Sequence, residues 1–353
     1  MQPEAPTIGS RTTPVDHRRC LYIIGNGFDL HHQIPSSYAH FGAYVRATDA
    51  RLADTAEDFI PAPVGETLWS RLEENLAWLD TDQITDQASI FLNSPGADDW
   101  SDADNHAYQY EVEQIATALS SRLKASFQAW LRTLPIPLGD SWSGPRLAIP
   151  TAARYLSFNY TPTLTNLYGV PEDRILHIHG RTTDPEDAVI LGHAREYEPR
   201  KRSEADADMD FRVLEGEDIL DRYFAATFKP AETILSRHSE FFDALFDIEV
   251  VRVLGHALSE VDFLYLLRIR SAAPNARWRI SYYQDPQPVA ERAELLDLAG
   301  DQLDLAPIEE IGLPIRVETR SGSQAIPEAT SFRAGKSAIQ ARALATNSAS
   351  ADV

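Results

Sequence analysis

Cysteine is almost absent from this chain of 353 residues, and Cys20 stands alone. No disulfide framework can close within the chain, and no multi-cysteine zinc ribbon can form. Cys20 opens an apolar run, where a thiol is expected to pack and not to attack. Positive charge is scarce as well. The 32 Lys and Arg face 53 Asp and Glu, for a formal net charge of −21. Duplex affinity rests on cations that neutralise phosphates and release counterions, so extended nucleic-acid binding is disfavoured. The densest basic stretch, Arg195 to Arg202, reads as a solvated loop. No apolar stretch approaches the roughly 20 residues that cross a bilayer. Met1 to Asp16 is polar and proline-containing, without a signal-type apolar centre, so a cytoplasmic protein with no membrane partner is expected. Gly-x-Ser-x-Gly, His-Glu-x-x-His and Walker patterns are missing too.

What the chain does have begins at Leu21-Tyr22-Ile23-Ile24, an apolar run that reads as a short buried strand. Gly25-Asn26-Gly27-Phe28-Asp29 follows, and a helix is expected from Asp29 to about Arg46, with Pro35 as a break point. Strand, glycine turn and helix is where nucleotide-binding sheets receive a diphosphate. The third glycine of the dinucleotide fingerprint is absent, so a plain tight turn explains these residues equally well.

Residues 1–18 read as a flexible arm, 19–320 as the folded unit, and 321–353, rich in Ala, Ser, Thr and Gly, as a disordered tail. A helical insertion is expected at about 50–145. It contains one helix near Glu66–Asp80, with Leu68, Leu72, Leu76 and Leu79 on one face, then an acidic loop with Asp98, Asp99, Asp102 and Asp104. A long helix over about Asn105–Leu134 carries the stripe Tyr108, Val112, Ile115, Leu119, Leu123, Phe127, Trp130 and Leu134. With Trp69, Trp78 and Trp130 it is expected to serve as a partner or self-association surface without chemistry, although buried aromatics would look the same. Beyond it, strands are expected at 155–158, 174–179, 188–191, 249–254 and 278–283. Helices are expected at 162–168, 231–246 and 259–271, the last capped by Ser259, and residues 195–215 read as a charged, mobile stretch. Strands alternating with helices make an α/β fold, a Rossmann-like parallel sheet with helices on both faces.

Four polar motifs fall at the carboxyl ends of expected strands: Gly25 to Asp29, Phe158-Asn159-Tyr160-Thr161, His177-Ile178-His179-Gly180, and Gly255-His256-Ala257-Leu258-Ser259-Glu260-Val261-Asp262. Ligands of open α/β sheets bind just outside those ends. One such motif is unremarkable, while four on one rim call for a common cause. As an ordered set over most of residues 20–285, with Trp278–Tyr283 as a fifth segment, they resemble the AbiH family of bacterial abortive-infection proteins directed against bacteriophage. The order is also similar to that of sirtuin-like NAD-binding domains.

The second resemblance implies an NAD glycohydrolase, with NAD as substrate or ligand, no metal, and depletion of the cofactor after infection. By position it implies Asn159 and His179 as catalytic residues at the nicotinamide ribose. Gly25, Asn26, Gly27 and Asp29 would form the phosphate turn, and Gly255, His256, Ser259 and Asp262 the adenosine-side loop. Asn26 and Phe28-Asp29 depart from the usual small residues, and the zinc-binding cysteines of the deacetylases are missing. The residue types suit the chemistry, since a near-neutral histidine can take a proton and an asparagine can orient water without charge. Each has a bland alternative: His179 as a core histidine, Asn159 as a helix cap. His177 and His179, two apart on an expected strand, would share a face. That spacing suits a metal-dependent phosphoesterase or nuclease drawing on Asp29, His193, His256 or Asp262. A sensor that binds a nucleotide without turnover is the third reading. A nucleotide is the expected small-molecule partner, and the family resemblance leaves room for a phage-derived trigger and a homo-oligomer.

Overall fold

The computed structural model describes residues 16–93, 104–182, 189–202 and 209–312. The expected tail, the expected arm up to residue 15, and Asp98, Asp99 and Asp102 of the acidic loop lie outside them. Six strands form one all-parallel sheet: β1 (Cys20–Ile24), β2 (Arg154–Ser157), β3 (Ile175–His177), β4 (Val250–Leu254), β5 (Arg277–Tyr282) and β6 (Leu303–Pro307). Their order is β3-β2-β1-β4-β5-β6, the doubly wound Rossmann-like arrangement. The order reverses between β1 and β4, which leaves a crevice beyond the carboxyl ends of those strands.

Strand β1 shows why the run Cys20 to Ile24 is apolar at every position. Its alternate residues enter two separate cores, Leu21 and Ile23 on one face and Cys20, Tyr22 and Ile24 on the other. Burial raises the thiol pKa of Cys20, offset in part by Arg252, and its Sγ contacts the Asp16 carbonyl at 3.6 Å. That is the packing role expected of it.

Between β1 and β2 the chain forms α1 (Asn26–His31), α2 (Tyr38–Thr48), α3 (Ala50–Phe59), α4 (Leu72–Asn75), α5 (Thr81–Ala88), α6 (Asp104–Thr117) and α7 (Leu123–Leu131). The helix expected from Asp29 to Arg46 is two, α1 and α2, with Pro35 in the break. The helix expected at 66–80 is one turn of α4 between two 3-10 segments, yet all four leucines of its face are buried. One turn of π-helix, Ala118–Arg122, joins α6 to α7, so the long stripe stays continuous and buried from Tyr108 to Leu134.

The remaining helices are α8 (Thr163–Tyr168), α9 (Phe211–Thr227), α10 (Ala231–Arg237), α11 (Ser239–Asp243), α12 (Phe263–Ala272), α13 (Gln287–Leu295) and α14 (Ile308–Ile311). Three expectations need correction. Within the charged stretch at 195–215, residues 209–215 include the start of α9, whose Ile219, Leu220, Tyr223 and Phe224 join the core of the helical unit. Residues 189–191 form no strand; they run beside the rim, with Ile190 N–H donating to the His179 carbonyl and Tyr160 Oη donating to the Ile190 carbonyl. Strand β3 stops at His177, so His177 and His179 do not share a strand face. Among the described residues, no helix is long and apolar enough to cross a membrane.

Candidate functional site

All four motifs do sit on one rim, at the ends of β1, β2, β3 and β4. The glycine turn after β1 packs directly on the turn after β4. Gly25 N–H donates to the Leu254 carbonyl at 3.0 Å, and Gly27 N–H to the Gly255 carbonyl at 2.8 Å. A Cβ on Gly25 would lie 2.5 Å from the His256 Cα, and one on Gly27 would lie 2.7 Å from the Gly255 Cα. Gly255 itself has φ +68°, and its Cβ would fall 2.1 Å from the Phe28 nitrogen. Contact between the two turns therefore accounts for these glycines without any ligand.

Above the turns lies a cavity of about 410 Å³, within the range of small-molecule sites. All ten residues expected to form the site line it: Gly25, Asn26, Gly27, Asp29, Asn159, His179, Gly255, His256, Ser259 and Asp262. The helical unit supplies the facing wall through Tyr38, Glu73, Phe127 and Trp130. The unit thus contributes to the cavity wall. Trp69 and Trp130 are core residues, while Trp78 is 56% exposed with the Arg195 guanidinium 4.3 Å above its ring.

Asn159 ties the rim together. Its Nδ2 donates to the Gly25 carbonyl at 3.1 Å, and its own carbonyl receives Ser157 Oγ at 3.2 Å and lies 3.1 Å from His177 Nδ1. His177 is thereby turned to the backbone of Asn159 and does not line the cavity. Asp29 is buried, with Thr161 Oγ1 donating to its Oδ2 at 2.6 Å and no partner for Oδ1. Burial pushes its pKa up to about 6, against the opposing hydrogen bonds of Thr161, Thr163 and Asn159.

A chain of buried charge lies below. Lys229 Nζ bridges Glu73 Oε1 at 2.8 Å and Asp262 Oδ1 at 3.1 Å, with its side chain wholly inaccessible. Asp262 Oδ2 also receives Ser259 Oγ at 3.0 Å and faces His256 Nε2 at 3.3 Å. Leu258 N–H donates to His256 Nδ1 at 3.0 Å, so Nδ1 is the acceptor and Nε2 carries the proton toward Asp262. Ser259 was expected to cap a helix; its hydroxyl serves Asp262 instead.

His179 Nε2 stands 3.5 Å from Asp262 Oδ1 and is buried without hydrogen-bond geometry. Burial, then the Lys229 charge, pulls the His179 pKa down to about 3 despite Asp262, and the ring is neutral at working pH. Burial opposes ionisation of Asp262, but Lys229 above all, with the nearby histidines, holds its carboxyl well below the usual range. Asp262, His256 and Ser259 therefore spend their polar atoms on one another and on Lys229 while lining the cavity.

Sequence reasoning missed Glu73, Lys229, Arg71 and Arg292. Glu73 interrupts a leucine stripe, and Lys229 stands between Phe228 and Pro230 in no motif. Arg71 and Arg292 line the cavity, with Arg292 Nη1 donating to the Ala257 carbonyl at 2.6 Å. Only their meeting in space marks them. Among the described residues, no group of three or more His, Cys, Asp or Glu is arranged to hold a metal ion.

No curated protein matches the chain. The profile of the family described as Bacteriophage abortive infection AbiH matches residues 21–282, from the first residues of β1 to the end of β5 and across all four rim motifs. The chain belongs to the AbiH family of bacteriophage abortive-infection proteins.

Proposed function

We propose that the cavity binds nicotinamide adenine dinucleotide and that the protein hydrolyses its nicotinamide–ribose bond, depleting the cofactor during abortive infection. The observation that carries this reading is the meeting of Asn159 and His179 at one cavity, on the carboxyl ends of neighbouring parallel strands. Their likeness to the positions used by sirtuin-like NAD-binding domains supports it.

The chemistry asks little of the protein beyond placement. Water attacks the anomeric carbon as the bond to the pyridinium nitrogen breaks, and the nitrogen keeps the electron pair and leaves as neutral nicotinamide. The proton released from the water passes to His179. Since Nε2 faces Asp262, Nδ1 is the nitrogen left to take that proton, and the Asp262 carboxylate would steady the imidazolium. A weak base suffices, because a cation-like sugar makes the attacking water acidic. Arg292 on the cavity wall suits a diphosphate, whereas Arg71 would have to leave Glu66 and Glu74 to reach one. A phage-derived trigger or a second copy of the chain would act from outside, for which the exposed Trp78 on the helical unit is a contact point.

The second reading is a sensor that binds a nucleotide without turnover. It is favoured by the engagement of Asp262, His256 and Ser259 with one another. Incubating purified protein with NAD, with and without a chelator, separates the readings. Equal nicotinamide release in both arms is expected; binding without release would favour the sensor, and chelator-sensitive phosphodiester cleavage would overturn both.

A further inference from the structure

Lys229 lies between α9 and α10, anchored by its N–H to the His193 carbonyl at 2.8 Å. A wholly buried ammonium is retained only where carboxylates compensate its lost hydration. Here Glu73 comes from α4 of the helical unit and Asp262 from the rim beyond β4. Both carboxylates outweigh burial and raise the Lys229 pKa, so the ammonium is charged. The groups that face His179 are Asp262, Lys229 behind it, His256, and the rings of Phe158, Tyr160 and Tyr265. Burial raises the pKa of both tyrosines, which stay neutral. Of the charges felt by His179, those of Lys229 and Asp262 weigh most, with His256 a smaller one.

We propose that Lys229 is a positioning residue for His179: it holds the ionised Asp262 with Oδ1 3.5 Å from Nε2, and the charge of that carboxylate favours the proton on Nε2 and leaves Nδ1 for the ligand. Glu73 completes the arrangement from across the cavity, so the site is electrically whole only with the helical unit docked. Without Lys229, two buried carboxylates would share the space and one would take a proton. A proton on Asp262 would remove the charge that favours Nε2–H on His179, and the preference between the two tautomers would be lost.

The inference rests on the hydrolase reading, but its test does not need NAD. Nitrogen-15 NMR of the intact chain, with the His179 signals assigned by H179Q, reports the tautomer directly. The wild type is expected to show a neutral ring protonated at Nε2; an Nδ1-protonated ring or an imidazolium at pH 7 would overturn the inference whether or not any variant folds. In K229M the Nδ1-protonated form of the His179 ring is expected to appear beside the Nε2-protonated one, and in K229R the wild-type tautomer is expected to return. A folded K229M that keeps the wild-type tautomer of His179 would also overturn it. If the NMR outcome holds and no nicotinamide is released, the hydrolase reading fails and the positioning stands.

Discussion

Asp29 is a wholly buried carboxyl whose burial outweighs its hydrogen bonds, and its energetic sign is readable. The unfolded carboxyl titrates near 3.8 and the folded one near 6. The folded state therefore holds its proton more tightly, and stability is lost as pH rises between those values. Asp29→Asn keeps an acceptor for Thr161 and removes that loss. It is expected to match wild type near pH 4 and to exceed it by about 2–3 kcal/mol above pH 6.5. Urea unfolding at the two pH values measures this, and equal stability at both would contradict the account. Gly255→Ala puts a Cβ against the Phe28 nitrogen at a positive φ, so a melting temperature lowered by many degrees is expected by circular dichroism. Gly27→Val would meet the Gly255 backbone, so it perturbs the packing of the two turns before it perturbs any ligand.

At this scale the legible residues were those whose position is a local matter. Asn159, His179 and Gly255 each follow an apolar strand, and a polar residue or glycine at that place is visible in a short window. Lys229 and Glu73 were not legible, because their meaning lies in an ion pair between residues 156 positions apart and in burial that neither neighbourhood announces.

Among the elements, the long helix through α6 and α7 was legible because its apolar steps of three and four persist for more than 20 residues, and the π turn does not break the stripe. Strand β1 was legible because both its faces are buried. Among the elements that escaped notice, α9 and β6 did so for plain physical reasons. In α9, charged residues such as Arg212, Glu215, Asp218 and Arg222 surround a short apolar face. Strand β6 is an edge strand with only Ala306 buried, and Asp304 and Pro307 sit where an interior strand would carry apolar residues. The apolar run at 189–191 misled in the opposite sense, since Val189 and Leu191 are buried against the helical unit and not in the sheet. The role given to α9 is testable. Leu220→Ala empties a buried site of the helical-unit core and is expected to cost about 2–5 kcal/mol in urea unfolding. A cost below about 1 kcal/mol would show that α9 is not an integral part of that core.

For the whole molecule, the sheet and the helical unit meet over a cavity whose lining comes from both. A parallel sheet follows from alternating strands and helices, so the rim of carboxyl ends was inferable as a place, while the strand order was not. The facing wall was not, because helices inserted between β1 and β2 can fold back over either end of a sheet, and no local pattern says which. A charge of −21 opposes extended contact with a phosphate backbone, and the cavity wall carries Asp29, Glu73, Glu74 and Asp262 beside Arg292 and an Arg71 that is paired with Glu66 and Glu74. The central claim is that this cavity cleaves NAD with His179 as the base. Its most direct measurement is the rate of nicotinamide and ADP-ribose formation from NAD by the purified intact chain, compared with folded His179→Ala. The account predicts release by the wild type and a loss of at least about 100-fold in His179→Ala, with NAD affinity little changed. Release by folded His179→Ala at the wild-type rate would contradict it.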